Sequence, residues 1–156
     1  MNTPLPAPSV PAPSEPGTQL GLLFRQVRDA MWARMERELS AAGHDLTFSQ
    51  YITLKRLAHG EASASELARK AELNPGAMTR LLDRLEERGL TVRIADPADR
   101  RALRVRLTDT GRTMWADIDQ CGVRVRTRAF EGLSETEQDA LVRLLLQVRD
   151  NLTRED

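Results

Sequence analysis

Between Gly89 and Thr108 the apolar residues change their period, and that change limits the possible folds more than any other feature of the chain. Before it, apolar residues recur every third or fourth position, as helices require; within it they recur every second position, as strands require. Val92 and Ile94 alternate with Thr91 and Arg93, and after "ADPADRR" the residues Leu103, Val105 and Leu107 alternate with Arg104 and Arg106. The pattern predicts a two-stranded hairpin with a long polar tip. Val92, Ile94, Leu103, Val105 and Leu107 are expected to face the helices, and arginines the other side. The expected fold class is therefore mainly α with a small β-hairpin.

Start and stop signals place the helices. Leu20, Leu23, Phe24, Val27, Met31, Met35 and Leu39 make one helical stripe, which Gly43 ends. Thr47 with Gln50, and Ser63 with Glu66, have the spacing of capping boxes. "NPGAM" offers Asn74 as an N-cap and Pro75 at the first helical position, and Gly89 suits a left-handed helix end. A fifth helix starts near Thr108, with Trp115, Ile118, Gly122, Val125 and Ala129 on one face. The last begins at Ser134 and Glu137 and is apolar on two sides: Leu141, Leu145, Val148 and Leu152, widened by Val142 and Leu146. One buried stripe suffices for a terminal helix, so two predict contact both with its own domain and with a second subunit.

Six of the eight prolines lie in Met1–Gly17, which is expected to be a flexible, partly polyproline-II tail. Neither a signal-peptide layout nor a membrane-length apolar run is present, so a cytoplasmic protein without membrane contact is expected. Cys121 is the sole cysteine and the two histidines, His44 and His59, stand apart, so no disulfide framework, metal-ligand set or cofactor is read. Nor is there a phosphate loop or nucleophile elbow, and no enzyme is indicated.

Net charge is zero, but Thr91–Arg106 carries five arginines against two aspartates. Such a focus suits a nucleic-acid contact, and charge alone fits a solvated strand face equally well. The preceding helix adds a second indication. In "NPGAMTRLLDRLEER" Met78, Leu81, Leu82 and Leu85 form the buried face, opposite Gly76, Thr79, Arg80, Asp83 and Arg84. A helix-turn-helix sets the start of its second helix against base edges in the major groove. Small residues at 75–77 would allow close approach, Arg80 could pair with guanine, and Thr79 could meet a thymine methyl or a phosphate. Alone, that face fits local ion pairing as well. Ser63 and Ser65 could hold a phosphate on free N–H groups, although Ser63 also reads as a plain cap. In the hairpin tip, Asp99 is placed to hold Arg101 by an ion pair while Arg100 projects towards a narrow minor groove.

"DPADRRALRVRLTDTGR", Asp96–Arg112, closely resembles the wing and following helix start of the MarR (multiple antibiotic resistance regulator) family, an Asp-x-Arg-Arg wing followed by Leu-Thr-x-x-Gly. "MTRLLDRLEERGL", Met78–Leu90, resembles that family's recognition helix and its glycine stop. The resemblance implies a six-helix, homodimeric winged helix-turn-helix regulator that pairs through its first and last two helices. It also implies a pseudo-palindromic double-stranded operator, usually repression of efflux, stress or aromatic-catabolism genes, and release by a small aromatic or phenolic effector. By the same resemblance Thr79 and Arg80 contact DNA from the recognition helix, Arg100 enters the minor groove, Asp99 and Arg101 orient the wing, and Arg84 is a weaker contact. The implied organisation is a tail at 1–17, a dimerisation helix at 18–42, a DNA-binding lobe at 46–107 and dimerisation helices at 108–153. Met31, Trp32 and Trp115 are candidates for an effector pocket, though core or dimer packing explains each singly. Two other readings remain at this level: a redox-responsive regulator working through Cys121, and a protein-interaction module independent of DNA.

Overall fold

A computed structural model of the chain describes Gly17, residues 19–99 and residues 101–154. In chain order the elements are α1 (Leu20–Ala41), α2 (Phe48–Ala58), β1 (Ala62–Ser63), α3 (Ala64–Lys70), α4 (Pro75–Glu87), β2 (Thr91–Ala95), β3 (Leu103–Leu107), α5 (Asp109–Ala129) and α6 (Glu135–Thr153).

Five of the six helices begin where a side chain accepts a hydrogen bond that the first turn leaves over. Thr47, Ser63 and Ser134 form reciprocal capping boxes with Gln50, Glu66 and Glu137. Asn74 Oδ1 accepts from the Ala77 N–H at 2.8 Å, and Pro75 opens α4. Helix ends are equally local. α1 and α4 close on left-handed glycines, Gly43 and Gly89, with φ of 80° and 69°. α3 closes in the same way on Glu72, a non-glycine residue at φ 53°. The Leu73 N–H then donates to the Ala68 carbonyl at 2.9 Å, the long bond of a Schellman turn. That turn sets α4 across α3.

The sheet corrects the sequence reading in three ways. It has three strands, in the order β1-β3-β2, because Ala62 pairs with Val105 and Ser63 with Arg104. The face of β2 is the reverse of the one expected. Thr91 lies opposite Leu107 and Arg93 opposite Val105, so Thr91 and Arg93 share the inner face with the buried Val105 and Leu107. Val92 and Ile94 pair with Arg106 and Arg104 and stand on the arginine side. Finally, Leu103 does not pack on the helices; it is 56% exposed, beside the hairpin tip.

One core joins the lobe to the long helices. Leu54, Leu57, Leu67, Leu82 and Leu85 fill the lobe, with all four expected apolar residues of α4 buried. Met35 and Leu39 of α1 meet Ile118, Cys121 and Val125 of α5. The α1 stripe is buried only there: Leu20, Leu23, Phe24, Val27 and Met31 are exposed. Of the α5 face, Trp115 is half-buried and Ala129 exposed, while Cys121 is fully buried. The own-domain contact expected of α6 is not made: none of its residues is buried, and Leu141, Val142, Leu145 and Leu146 face solvent.

The junction of β2, β3 and α5 is unusually close. The Thr108 N–H donates to the Leu90 carbonyl at 3.1 Å and the Thr108 hydroxyl to the Gly89 carbonyl at 2.5 Å. A Cβ on Gly111 would lie 2.0 Å from that Leu90 oxygen. "LTDTG" thus has a physical meaning: the threonine caps α5 and grips the end of α4, and the glycine lets the two backbones meet.

Candidate nucleic-acid interface

α3, the tight turn and α4 form a helix-turn-helix, with β2 and β3 extending beside it. On α4 Pro75, Gly76, Thr79, Arg80, Asp83 and Arg84 are exposed, on the side opposite Met78, Leu81, Leu82 and Leu85, and Glu87 is exposed at the end of the helix. Gly76 has open surroundings: an added Cβ would meet only Asn74 Oδ1, at 3.6 Å. Thr79 donates its hydroxyl back to the Pro75 carbonyl at 3.0 Å, so its methyl is the part left free to face outward. Among the described residues, Arg80 and Arg84 make no ion pair, and Asp83 pairs with Arg93 instead of with a neighbour on its own helix.

The hairpin arginines divide into two groups. Arg93, on the inner face, donates to Asp83 Oδ1 at 2.6 Å and to Glu86 Oε2, while its backbone N–H donates to Glu86 Oε1 at 3.0 Å. Partial desolvation lowers the Arg93 pKa, but the bonds to Asp83 and Glu86 outweigh it and the net shift is upward. Arg104, on the outer face, donates to the Glu61 carbonyl at 2.9 Å and lies 3.5 Å from Asp96. Arg106 and Arg101 are exposed and make no ion pair among the described residues. Arg100 lies outside the described residues.

The tip is built on backbone capping rather than on the ion pair expected between Asp99 and Arg101. Asp99 Oδ1 accepts from the Arg101 backbone N–H at 2.9 Å, which leaves the Arg101 guanidinium outward. Asp96 does the same for Ala98 at 2.8 Å. That N–H is the main reason the Asp96 carboxyl sits below the ordinary aspartate range; Arg104 adds to it, against a desolvation cost. At α3 the expected free N–H groups are partly occupied. The Ser63 N–H donates to Glu66 Oε2 and the Glu66 N–H to Ser63 Oγ, which makes Ser63 a cap and places a carboxylate at that end. Ser65 is exposed.

A cavity of about 440 Å³ opens between α1, α2 and α5, beside the lobe. Met31 and Trp32 line it, whereas Trp115 stands behind Tyr51, ring centroids 6.0 Å apart. Sequence reasoning missed Phe48, Tyr51 and Lys55. The last two are four residues apart on α2, and that spacing could have flagged them as one helix face. Trp32 stacks edge-on against Phe48 at 4.9 Å and lies 5.7 Å from Tyr51. Burial pushes the Tyr51 hydroxyl pKa up, so the phenol stays protonated. The charged lining residues are Arg28, Lys55 and Arg126; Arg28 is paired with Asp29 at 2.9 Å, and Lys55 and Arg126 make no ion pair among the described residues. The arrangement can take an aromatic molecule between rings and an anionic group at the cations.

The MarR family model matches residues 46–103. The chain is 30% identical over 119 residues to the HTH-type transcriptional repressor MdtR of Bacillus subtilis, spanning 76% of this chain and 73% of that protein. Bordetella bronchiseptica BpsR, whose DNA binding is regulated by 6-hydroxynicotinic acid, has a similar structure: TM-score 0.72, 26% identity, 89% of this chain and 99% of that one. A probable transcriptional regulator from Pseudomonas aeruginosa gives a TM-score of 0.68 at 30% identity, over 84% and 97% of the two chains.

Proposed function

The chain belongs to the MarR family of transcriptional regulators, and on that premise we propose that it is a homodimeric repressor released from its operator by an aromatic carboxylate. The observation that carries the DNA reading is the exposed face of α4 beside the hairpin, where Arg80 and Arg84 make no ion pair among the described residues and Gly76 and Thr79 leave the helix start slim. Arg80 reads bases in the major groove, Arg100 enters the minor groove, and Gly76 lets the backbone approach. Ser65, Arg84 and Arg101 contact phosphates, and Asp99 shapes the tip.

Dimer formation is supported by the uncovered apolar residues of α1 and α6, an extent of exposed surface uncommon on a monomer. Two lobes related by a dyad would address half-sites about one helical turn, roughly 34 Å, apart. The aromatic walls of the cavity, with Lys55 and Arg126 beside them, support an anionic aromatic effector, as does the regulation of the similar BpsR by 6-hydroxynicotinic acid. Sensing through Cys121 gains no support: burial, the largest influence, raises the thiol pKa, and the thiolate is the reactive form.

The test is fluorescence anisotropy with a duplex from the region upstream of the gene. Arg80→Ala should relax base preference, Arg100→Ala should weaken all sequences and lower the salt slope by about 1 per subunit, and an aromatic carboxylate should release the duplex. Wild-type binding by both variants would refute the groove assignments.

A further inference from the structure

We infer that Arg93 is a positioning residue for DNA binding: by bridging β2 to Asp83 and Glu86 of α4, it holds the wing at the spacing at which recognition helix and hairpin tip engage one duplex together. The inference rests on the reading that both elements contact DNA.

Asp83 and Glu86 are three residues apart and therefore share one face of α4. A planar guanidinium presents its donors in a fixed fork that fits two carboxylates on either side, whereas a lysine ammonium is a single point charge with freely rotating donors. Glu86 holds both the side chain of Arg93 and its backbone N–H, so the main chain of β2 is held to α4 along with the side chain. Arg93 sits in the middle of β2, opposite Val105, and the tip lies beyond the last ladder pair, Ala95 with Leu103. Any swing of the strand at Arg93 is carried outward to the tip. The bridge also neutralises Asp83, an exposed carboxylate on the helix face that carries Arg80 and Arg84, where an unpaired negative charge would repel phosphate.

The experiment is a double-mutant cycle on the upstream duplex, comparing wild type, Arg93→Met, Arg100→Ala and the double variant, with thermal melts confirming that each is folded. Arg93→Met should bind about tenfold more weakly, and Arg100→Ala should then add little, giving a coupling of about threefold or more. Arg93→Lys should recover part of the loss. A merely stabilising role would lower the melting temperature and leave the two losses additive. Additive losses, or wild-type binding by Arg93→Met, would overturn the inference while leaving the wing contact standing. No loss from Arg100→Ala in the wild-type background would remove the wing reading and this inference with it. If Arg93→Met does not fold, Asp83→Asn at its exposed position takes its place in the same cycle. The same coupling is expected there, with a smaller loss, and additivity would again overturn the inference.

Discussion

Replacing Gly111 with alanine tests the close approach of the start of α5 to the Leu90 backbone. The new Cβ would sit 2.0 Å from the Leu90 oxygen and 3.0 Å from its carbonyl carbon, so one of the two backbones must move by more than an ångström. That oxygen accepts the Thr108 N–H, and the Thr108 hydroxyl grips Gly89, so the movement strains the start of α5 and the end of α4 together. Overpacking of this kind costs about 1–3 kcal/mol. Weakening the Leu90 hydrogen bond adds about 1 kcal/mol. Alanine in place of glycine within a helix returns about 1 kcal/mol. The expected net destabilisation is about 2 kcal/mol, a fall in melting temperature of roughly 4–8 °C for a chain of this size. Circular dichroism melts at matched concentration measure it, with Gly122→Ala as control. At Gly122 the nearest atoms to an added Cβ are side-chain ends, Arg126 Nη1 at 3.4 Å and Met35 Cε at 3.7 Å, which can give way. A Gly111→Ala protein melting at or above wild type, like the Gly122→Ala control, would refute the close-approach reasoning.

Gly76→Ala should leave stability equal or slightly higher, yet weaken operator binding by about tenfold, because the added methyl meets DNA rather than protein; paired melting and anisotropy measurements check both halves. Glu72→Gly should stabilise by about 0.5–1 kcal/mol in denaturant titrations, since a left-handed φ of 53° strains any residue with a Cβ. The folded-state pKa of Asp96 is depressed, so its contribution is complete above the unfolded value, near 4, and is lost as pH falls through the lower folded value. Amide exchange in the hairpin tip, corrected for its intrinsic pH dependence, should therefore show falling protection below about pH 4, and Asp96→Asn should remove that acid step.

How much could be read from the chain alone follows from the distance over which each feature is decided. The caps at Thr47, Ser63, Asn74 and Ser134 were legible because each partner lies three residues away. The buried face of α4 was legible because helical period alone aligns Met78, Leu81, Leu82 and Leu85. The hairpin was legible as strands and misread as a surface. Val92 and Ile94 looked inward-facing, but register is set across strands, and a shift of one residue turns every side chain over. Arg93 can occupy the inner face only because Asp83 and Glu86, on another element, supply its counter-charge.

The candidate site divides in the same way. Gly76, Thr79, Arg80 and Arg84 followed from one helix and its period, whereas the wall of the cavity formed by Phe48, Tyr51 and Lys55 exists only where α1, α2 and α5 converge. Uncovered α6 shows the limit from the other side: its two apolar sides were plain in the sequence, but burial depends on what stands opposite, and among the described residues nothing buries them. The sequence by itself determined where helices begin and end, because those choices are made by neighbours within a turn, whereas Ala62–Ser63 is a strand only through its pairing with β3. Tertiary structure decided which face of β2 is inside, which arginines are free and where a ligand can enter, because each depends on groups far apart in the chain.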